Sequence, residues 1–257
     1  MKAILSIRTL AATSIFVFSG LTLCAETSTE LVAKGDAADQ SFEPALALKS
    51  YLQAEILAPN DFKLLLSIAR QYRHLMCDVA KQSDKINYGN LSLNYAKRAA
   101  ALAPDNSDAQ LSPAISYGKM LPFEGKSEQV AASPLIKAAA DRAIRLDPSN
   151  DTAWHVLGRW HQSLANISGT RRAIGEVLYG KLPVGTNADA CSCFNKAIAL
   201  NPGRLRHYIE LGRTYAQMGN DRDAKKYIQK GMKMPNREKD DYELKERGKE
   251  TLAKLSE

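Results

Sequence analysis

Three sets of side chains in this 257-residue sequence have the types and spacing to do chemistry. The first is Cys191-x-Cys193, a thiol pair that could hold a metal ion if a second Cys or His pair stood at ligand spacing. No such pair occurs in the sequence. Residues two apart on a helix also point to different faces, so small buried or half-buried thiols are the expectation. The second set is the histidines. His155 and His161 are six apart and fall on different faces of one helix, whereas a working pair needs a spacing of three or four. No nucleophile elbow, phosphate-binding loop or H-E-x-x-H motif accompanies them. The expectation is therefore no catalytic residues, no metal and no cofactor. The third set is basic and polar: Lys63, Arg70, Arg73, His74, His155, Arg159, Gln162, Arg206 and Arg213. Guanidinium groups grip carboxylate or phosphate with two parallel hydrogen bonds, so these residues suit recognition of an acidic partner.

Whether they share one surface depends on the elements that carry them. The phrase Ala-x-x-Leu-x-Pro occurs at Ala54–Pro59, Ala99–Pro104, Ala143–Pro148 and Ala197–Pro202, with a degraded copy at Gly231–Pro235. Such a phrase ends a packed helix: the small residue permits close approach, the Leu fills the gap between hairpins, and the Pro stops the helix. The prolines are 45, 44, 54 and 33 residues apart. A tetratricopeptide repeat is about 34 residues long, so the last unit is standard and the earlier ones carry insertions. The first-helix signature of that repeat is W-x2-L-G-x2-Y; Trp154…Leu157-Gly158…His161 matches all but its last position, and the last unit carries Tyr208…Leu211-Gly212…Tyr215. Leu65…Ile68-Ala69…Tyr72 is a looser copy.

These signals predict an all-α protein, a right-handed superhelical solenoid of tetratricopeptide-like helical hairpins with a C-terminal capping helix. A leading helix is expected over 28–38, and a second is capped by Ser41, carries Pro44 in its first turn and ends near Ala58. Helices then pair as 61–80 with 88–103, 108–121 with 127–146, 151–165 with 187–200 and 204–217 with 220–233, before a capping helix at 238–255. The insertion 166–187 holds a short amphipathic helix, Arg171–Tyr179. Its apolar face is expected to dock on the solenoid through Ile174, Val177 and Leu178 and to narrow the groove.

Counting from the Leu-Gly signature, position nine of the first helix is Arg70, Ile115, Arg159 and Arg213 in successive units, and it faces the concave groove. Acidic residues at groove-facing positions are scarce, Asp108 being the exception. One reading is a groove for a protein or peptide segment that is acidic. The other is that the arginines pair with Asp and Glu of adjacent helices and brace the solenoid. Trp154, Trp160 and Tyr215 stand at core-type spacing, with carbohydrate stacking the alternative.

The N-terminus reads as an export signal. Lys2 and Arg8 precede an apolar stretch over 9–23, and Leu23-Cys24-Ala25 offers a cleavage site before Glu26. The run is short of the roughly 20 residues a membrane span needs. Residues 1–25 are thus expected to be a signal peptide that places the chain in the periplasm or outside the cell. Attachment to a membrane would require lipidation at Cys24 or an uncleaved signal. Removal of Lys2 and Arg8 leaves 33 basic and 28 acidic residues, a net +5. No basic run with interleaved aromatics points to nucleic acid. Cys77, Cys191 and Cys193 remain, an odd count that is no disulfide framework. The expected divisions are 26–60 for N-terminal helices, 61–235 for repeats and 236–257 for the cap.

From about Ala143 to Pro235 the sequence resembles the regulator of microtubule dynamics family of tetratricopeptide-like proteins. The carriers are Asp147-Pro148-Ser149-Asn150-Asp151, His155…Leu157-Gly158-Arg159-Trp160, the arginine pair with Val177-Leu178-Tyr179-Gly180-Lys181-Leu182-Pro183, and Ala190…Phe194-Asn195-Lys196-Ala197. The 62–104 unit is similar but less distinctive. The resemblance implies an all-α solenoid without enzymatic chemistry. Animal members of the family associate with microtubules or sit at membrane contact sites. The apparent export signal departs from that pattern, so the expected function is a non-enzymatic scaffold of the cell envelope. A microtubule-associated regulator is the alternative if residues 1–25 are not an export signal.

Overall fold

The computed structural model describes residues 26–256, so the expected signal peptide and Cys24 lie outside the described residues. Those residues form twelve α-helices and no strand. Five hairpins stack in chain order: α1 (Ser28–Gln40) with α2 (Pro44–Leu57), α3 (Phe62–Asp78) with α4 (Gln82–Leu102), α5 (Ser107–Met120) with α6 (Lys126–Leu146), α7 (Asp151–Ala165) with α9 (Asn187–Leu200), and α10 (Leu205–Gln217) with α11 (Asp221–Met232). Between α7 and α9 lies α8 (Gly169–Tyr179), and α12 (Asp241–Lys254) ends the chain against α10 and α11. This is the all-α tetratricopeptide-like solenoid.

The repeat phrase does two jobs. It ends one helix, and the second residue after its Pro starts the next. Asp61, Asn106 and Asn150 each accept a hydrogen bond from the first-turn amides of α3, α5 and α7. The small residues Ala54, Ala99, Ala143 and Ala197 are fully buried. Glycine is required at two crossings. A Cβ at Gly212 would lie 2.8 Å from the Ile228 nitrogen and 2.9 Å from the Ala224 carbonyl, and one at Gly158 would lie 2.9 Å from the Phe194 ring. From the second helix of a hairpin, Arg98 donates to the Pro59 carbonyl at 3.4 Å and Arg142 to the Pro104 carbonyl at 3.0 Å, tying each turn to the next hairpin.

Several details differ from expectation. The phrase leucines do not fill gaps: Leu57, Leu102 and Leu146 are 56, 45 and 36 % exposed. Each is the last residue of its helix, where the chain turns away and no neighbour runs alongside. Ser41 does not cap α2. It terminates α1, its amide bonding back to Ala37 and Ala38, and Phe42 follows in the left-handed region at φ 59°. Helix α4 starts at Gln82, six residues early, and Lys85 on it donates to the Met76 carbonyl at 2.8 Å, binding the extra turn to the end of α3.

Helix α8 forms but does not dock. None of its residues is buried, and Ile174, Val177 and Leu178 are exposed. Its contacts run to the loop that follows it: a Cβ on Gly175 would meet Leu182, and Arg172 donates to the Leu182 and Pro183 carbonyls. Helix α12 does cap α10 and α11, with Leu244 beside Leu205 and Ile209 and Gly248 against Ile228. Its N-terminal end does more, reaching back across the concave side.

Candidate functional site

The concave side encloses a cavity of about 1590 Å³. Helices α5, α7 and α10 form its floor, α8 overhangs one edge, and the start of α12 closes the other. Ile115, Leu121, Val130, Ile136, Val156, Leu164 and Ile167 make much of the wall apolar, with Ile174 and Leu178 of α8 facing them. The charged lining is mainly basic: Lys85, Lys119, Lys126, Arg159, Arg171, Arg206, Lys239 and Arg247 against Asp78, Glu210, Asp240 and Glu243.

Of the nine residues singled out in the sequence, the structure brings His155, Arg159 and Arg206 to this wall. Lys63, Arg70, Arg73, His74, Gln162 and Arg213 do not line it. Lys63 is exposed at the start of α3. Arg70 is drawn to Asp39 of α1 at 2.7 Å, with His74 on the same carboxylate at 3.8 Å. Arg73 is buried between α3, α4 and α5, where it donates to Ser92 Oγ at 3.4 Å and Ser116 Oγ at 3.3 Å. Burial pushes its guanidinium down to about 10 and the His74 imidazole down to about 4.

Arg159 and Arg213 converge on one carboxylate. Glu210 of α10 is fully buried, pairs with Arg159 and takes Arg213 at 2.8 Å. Arg247 of α12 stands 3.7 Å away on its other oxygen. Burial alone would raise the Glu210 carboxyl, but the three guanidinium groups hold it below its ordinary value. Gln162 completes the cluster, accepting from Arg159 at 2.6 Å and donating to Thr214 Oγ1 at 2.9 Å. The three position-nine arginines therefore each meet an acidic residue of the chain itself.

A second polar chain runs from Asp151 to His207 to His155. His207 Nε2 lies 2.9 Å from Asp151 Oδ2, and the Nδ1 atoms of the two histidines are 3.1 Å apart. Burial lowers both imidazoles, His155 far below its ordinary value, so both are neutral near pH 7. His161 turns elsewhere, against the edge of Trp160 and 3.7 Å from Asp189. The tryptophans serve the fold: Trp160 donates to the Ser133 carbonyl at 2.9 Å and Trp154 to the Pro148 carbonyl at 3.0 Å.

The cysteines separate. Cys193 enters the core of the α5–α7 region, while Cys191 lies near Met218. Cys77, Asp240 and Glu243 do converge, with potential ligand atoms within 4.8 Å of one another. The Lys119 ammonium already sits among them, 3.5 Å from Cys77 Sγ, 3.2 Å from Asp240 and 3.1 Å from Glu243. A cation of the chain thus answers that charge. Burial would raise Asp240, but Lys119, His74 and Arg206 hold it down to about 2. Position counting found the arginines but missed Asp39, Lys119, Glu210, Asp240 and Glu243. Of these, only the acidic run after Pro235 left a visible sign in the sequence.

Comparison with known proteins agrees with this architecture. The family model described as "Regulator of microtubule dynamics protein 1-3" matches residues 26–256. Regulator of microtubule dynamics protein 1 of Mus musculus is 27 % identical over 222 residues, covering 85 % of this chain and 72 % of that protein. Protein 2 of Rattus norvegicus is 24 % identical over 197 residues, covering 76 % of this chain and 48 % of that protein. The chain thus spans about half the length of the protein 2 relatives it matches. Among solved structures, a thermophilic TPR protein of Thermus thermophilus superposes with a TM-score of 0.63 at 16 % identity, over 88 % of this chain and all of that one. The shared fold is the tetratricopeptide-like helical array. On the match of residues 26–256, the chain belongs to the regulator of microtubule dynamics family.

Proposed function

We propose that the protein binds an acidic, partly apolar segment of a partner protein in its concave cavity. The observation that carries this reading is the lining itself: apolar walls with eight cationic side chains facing four carboxylates. Lys126 and Arg171 are exposed and have no carboxylate partner among the described residues, and Lys85, held by the Met76 carbonyl, has none either, so all three carry positive charge that a partner's carboxylates could meet. Each exposed pair contributes roughly 0.2–1 kcal/mol, so affinity builds from several contacts and weakens with salt. The test is capture of partners from the native host by the wild-type chain and by a Lys85/Lys126/Arg171→Gln variant. Loss of the same partners from a variant that melts normally supports the reading; unchanged capture at matched salt overturns it.

Export to the cell envelope is the accompanying proposal, resting on Lys2, Arg8 and the apolar stretch before Glu26. Intact mass of the protein from its host decides it: a chain beginning near Glu26 supports export, and a full-length cytosolic chain rejects it. The relatives' names favour a cytoskeletal partner as the second reading, which an exported chain could not serve.

A further inference from the structure

The acidic partner that the cavity suits has a counterpart inside the chain. Glu238 and Asp240 lie on the segment that joins the last hairpin to α12, Glu243 lies in the first turn of α12, and each meets a basic group on the concave side. Glu238 pairs with Arg206 of α10, while Asp240 and Glu243 share the Lys119 ammonium of α5. The same segment spans to the first hairpins: Lys239 reaches Asp78 at 2.9 Å, and the Tyr242 ring stands edge-on to Phe42 at 6.2 Å. The two ends of the solenoid are thus joined across the cavity by residues some two hundred positions apart.

Two features distinguish this closure from ordinary packing. First, it is held by ion pairs and one aromatic contact. The apolar anchor of α12, Leu244 with Leu205 and Ile209, lies on the last hairpins only. Its body can stay docked while the cross-cavity contacts open. Second, Phe42 is the one non-glycine among the described residues with positive φ, a conformation disfavoured for a bulky side chain, and it is the residue that meets Tyr242.

We infer that the Glu238–Glu243 segment is an intramolecular occupant of the basic side of the cavity, and that an acidic partner segment must displace it to bind. The inference rests on the acidic-partner reading above. An internal occupant lowers apparent affinity by the fraction of molecules it keeps closed, so releasing it tightens binding without any new contact.

The test uses the full chain and a labelled, N-acetylated peptide with the sequence of residues 236–246. The latch variant is Asp240→Asn with Glu243→Gln. Asp241 is left intact because it accepts the Arg237 and Glu238 amides. The control, Glu246→Gln with Glu250→Gln, removes the same charge from exposed positions. The latch variant should bind the peptide about tenfold tighter than wild type, the control like wild type, since the two partly exposed pairs that cross the cavity to Lys119 are lost. Amide exchange over 40–43 and 76–79 should quicken in the latch variant, and in wild type as salt rises, which needs no mutation. Equal peptide binding by all three proteins would overturn the inference and leave the acidic-partner reading standing. Faster exchange with no peptide binding by any of them would remove the acidic-partner reading and the competition with it.

Discussion

Helices α8 and α11 are nearly the same length, 11 and 12 residues, and both place their apolar side chains on one face. One is buried and the other is not. Helix α11 sinks Ala224, Ile228 and Gly231 against α10, whereas α8 leaves Val177 86 % exposed. The difference lies in the small residues. Gly212 on α10 receives Ile228, and Gly231 on α11 receives Ile209, so the two backbones close until each bulky side chain fills a notch. Helix α8 has bulk at Ile174, Val177 and Leu178, but no described glycine of the solenoid has these side chains packed against it. An amphipathic stripe makes a helix able to dock; complementary small positions decide that it does.

The largest expected effect comes from filling a notch. Gly212→Leu should cost about 3 kcal/mol or more, since its Cβ alone would meet backbone atoms of α11. A melting point within error of wild type would break the comparison. Ala143→Leu and Ala197→Leu should cost roughly 1–3 kcal/mol by the same overpacking, while Ala101→Leu, exposed and off the contact line, should stay within about 0.5 kcal/mol. Equal shifts for all three in thermal melts would show that the repeat register does not set the contacts.

Electrostatic joints should matter less than notches. Glu210→Gln should destabilise by about 1–2 kcal/mol near pH 7, leaving partly exposed arginines without their carboxylate. The Glu210 carboxyl is lowered in the folded chain, so its contribution is present above the unfolded value and lost as pH falls through the folded one. The gap between wild type and variant should therefore begin to narrow as pH falls below about 4. A gap that persists in acid would assign the loss to shape rather than charge. The smallest stability effect should come from α8: Ile174→Ser with Leu178→Ser should move the melting point by less than about 0.5 kcal/mol equivalent. The same change should weaken partner capture, because both residues face the cavity. A large melting shift would mean that α8 is packed after all.

The legible part of this protein was periodic and local. Ala-x-x-Leu-x-Pro with Asp or Asn two residues later marks where one helix stops and the next starts, and the Leu-Gly signature marks which side each first helix shows its neighbour. Those features follow from backbone sterics and from caps that act within a few residues, so the solenoid and its register could be read directly. The same counting placed Arg70, Arg159 and Arg213 on equivalent positions, but not their partners. Asp39 lies in a helix that carries no repeat signature, and Glu210 sits off the counted positions, so neither is a neighbour on paper.

Sequence alone determined the hairpins, their order, the family and the existence of α8 and α12. Only the tertiary structure decided that α8 stands clear of the stack, that the position-nine arginines meet internal acids, and that Asp240 and Glu243 cross the cavity to Lys119. The physical reason is range. Capping, helix period and close-packed small residues act within one hairpin, and each leaves a motif. The crossing depends on the accumulated curvature of five stacked hairpins, which brings Phe42 to Tyr242 and leaves no repeating trace in either segment.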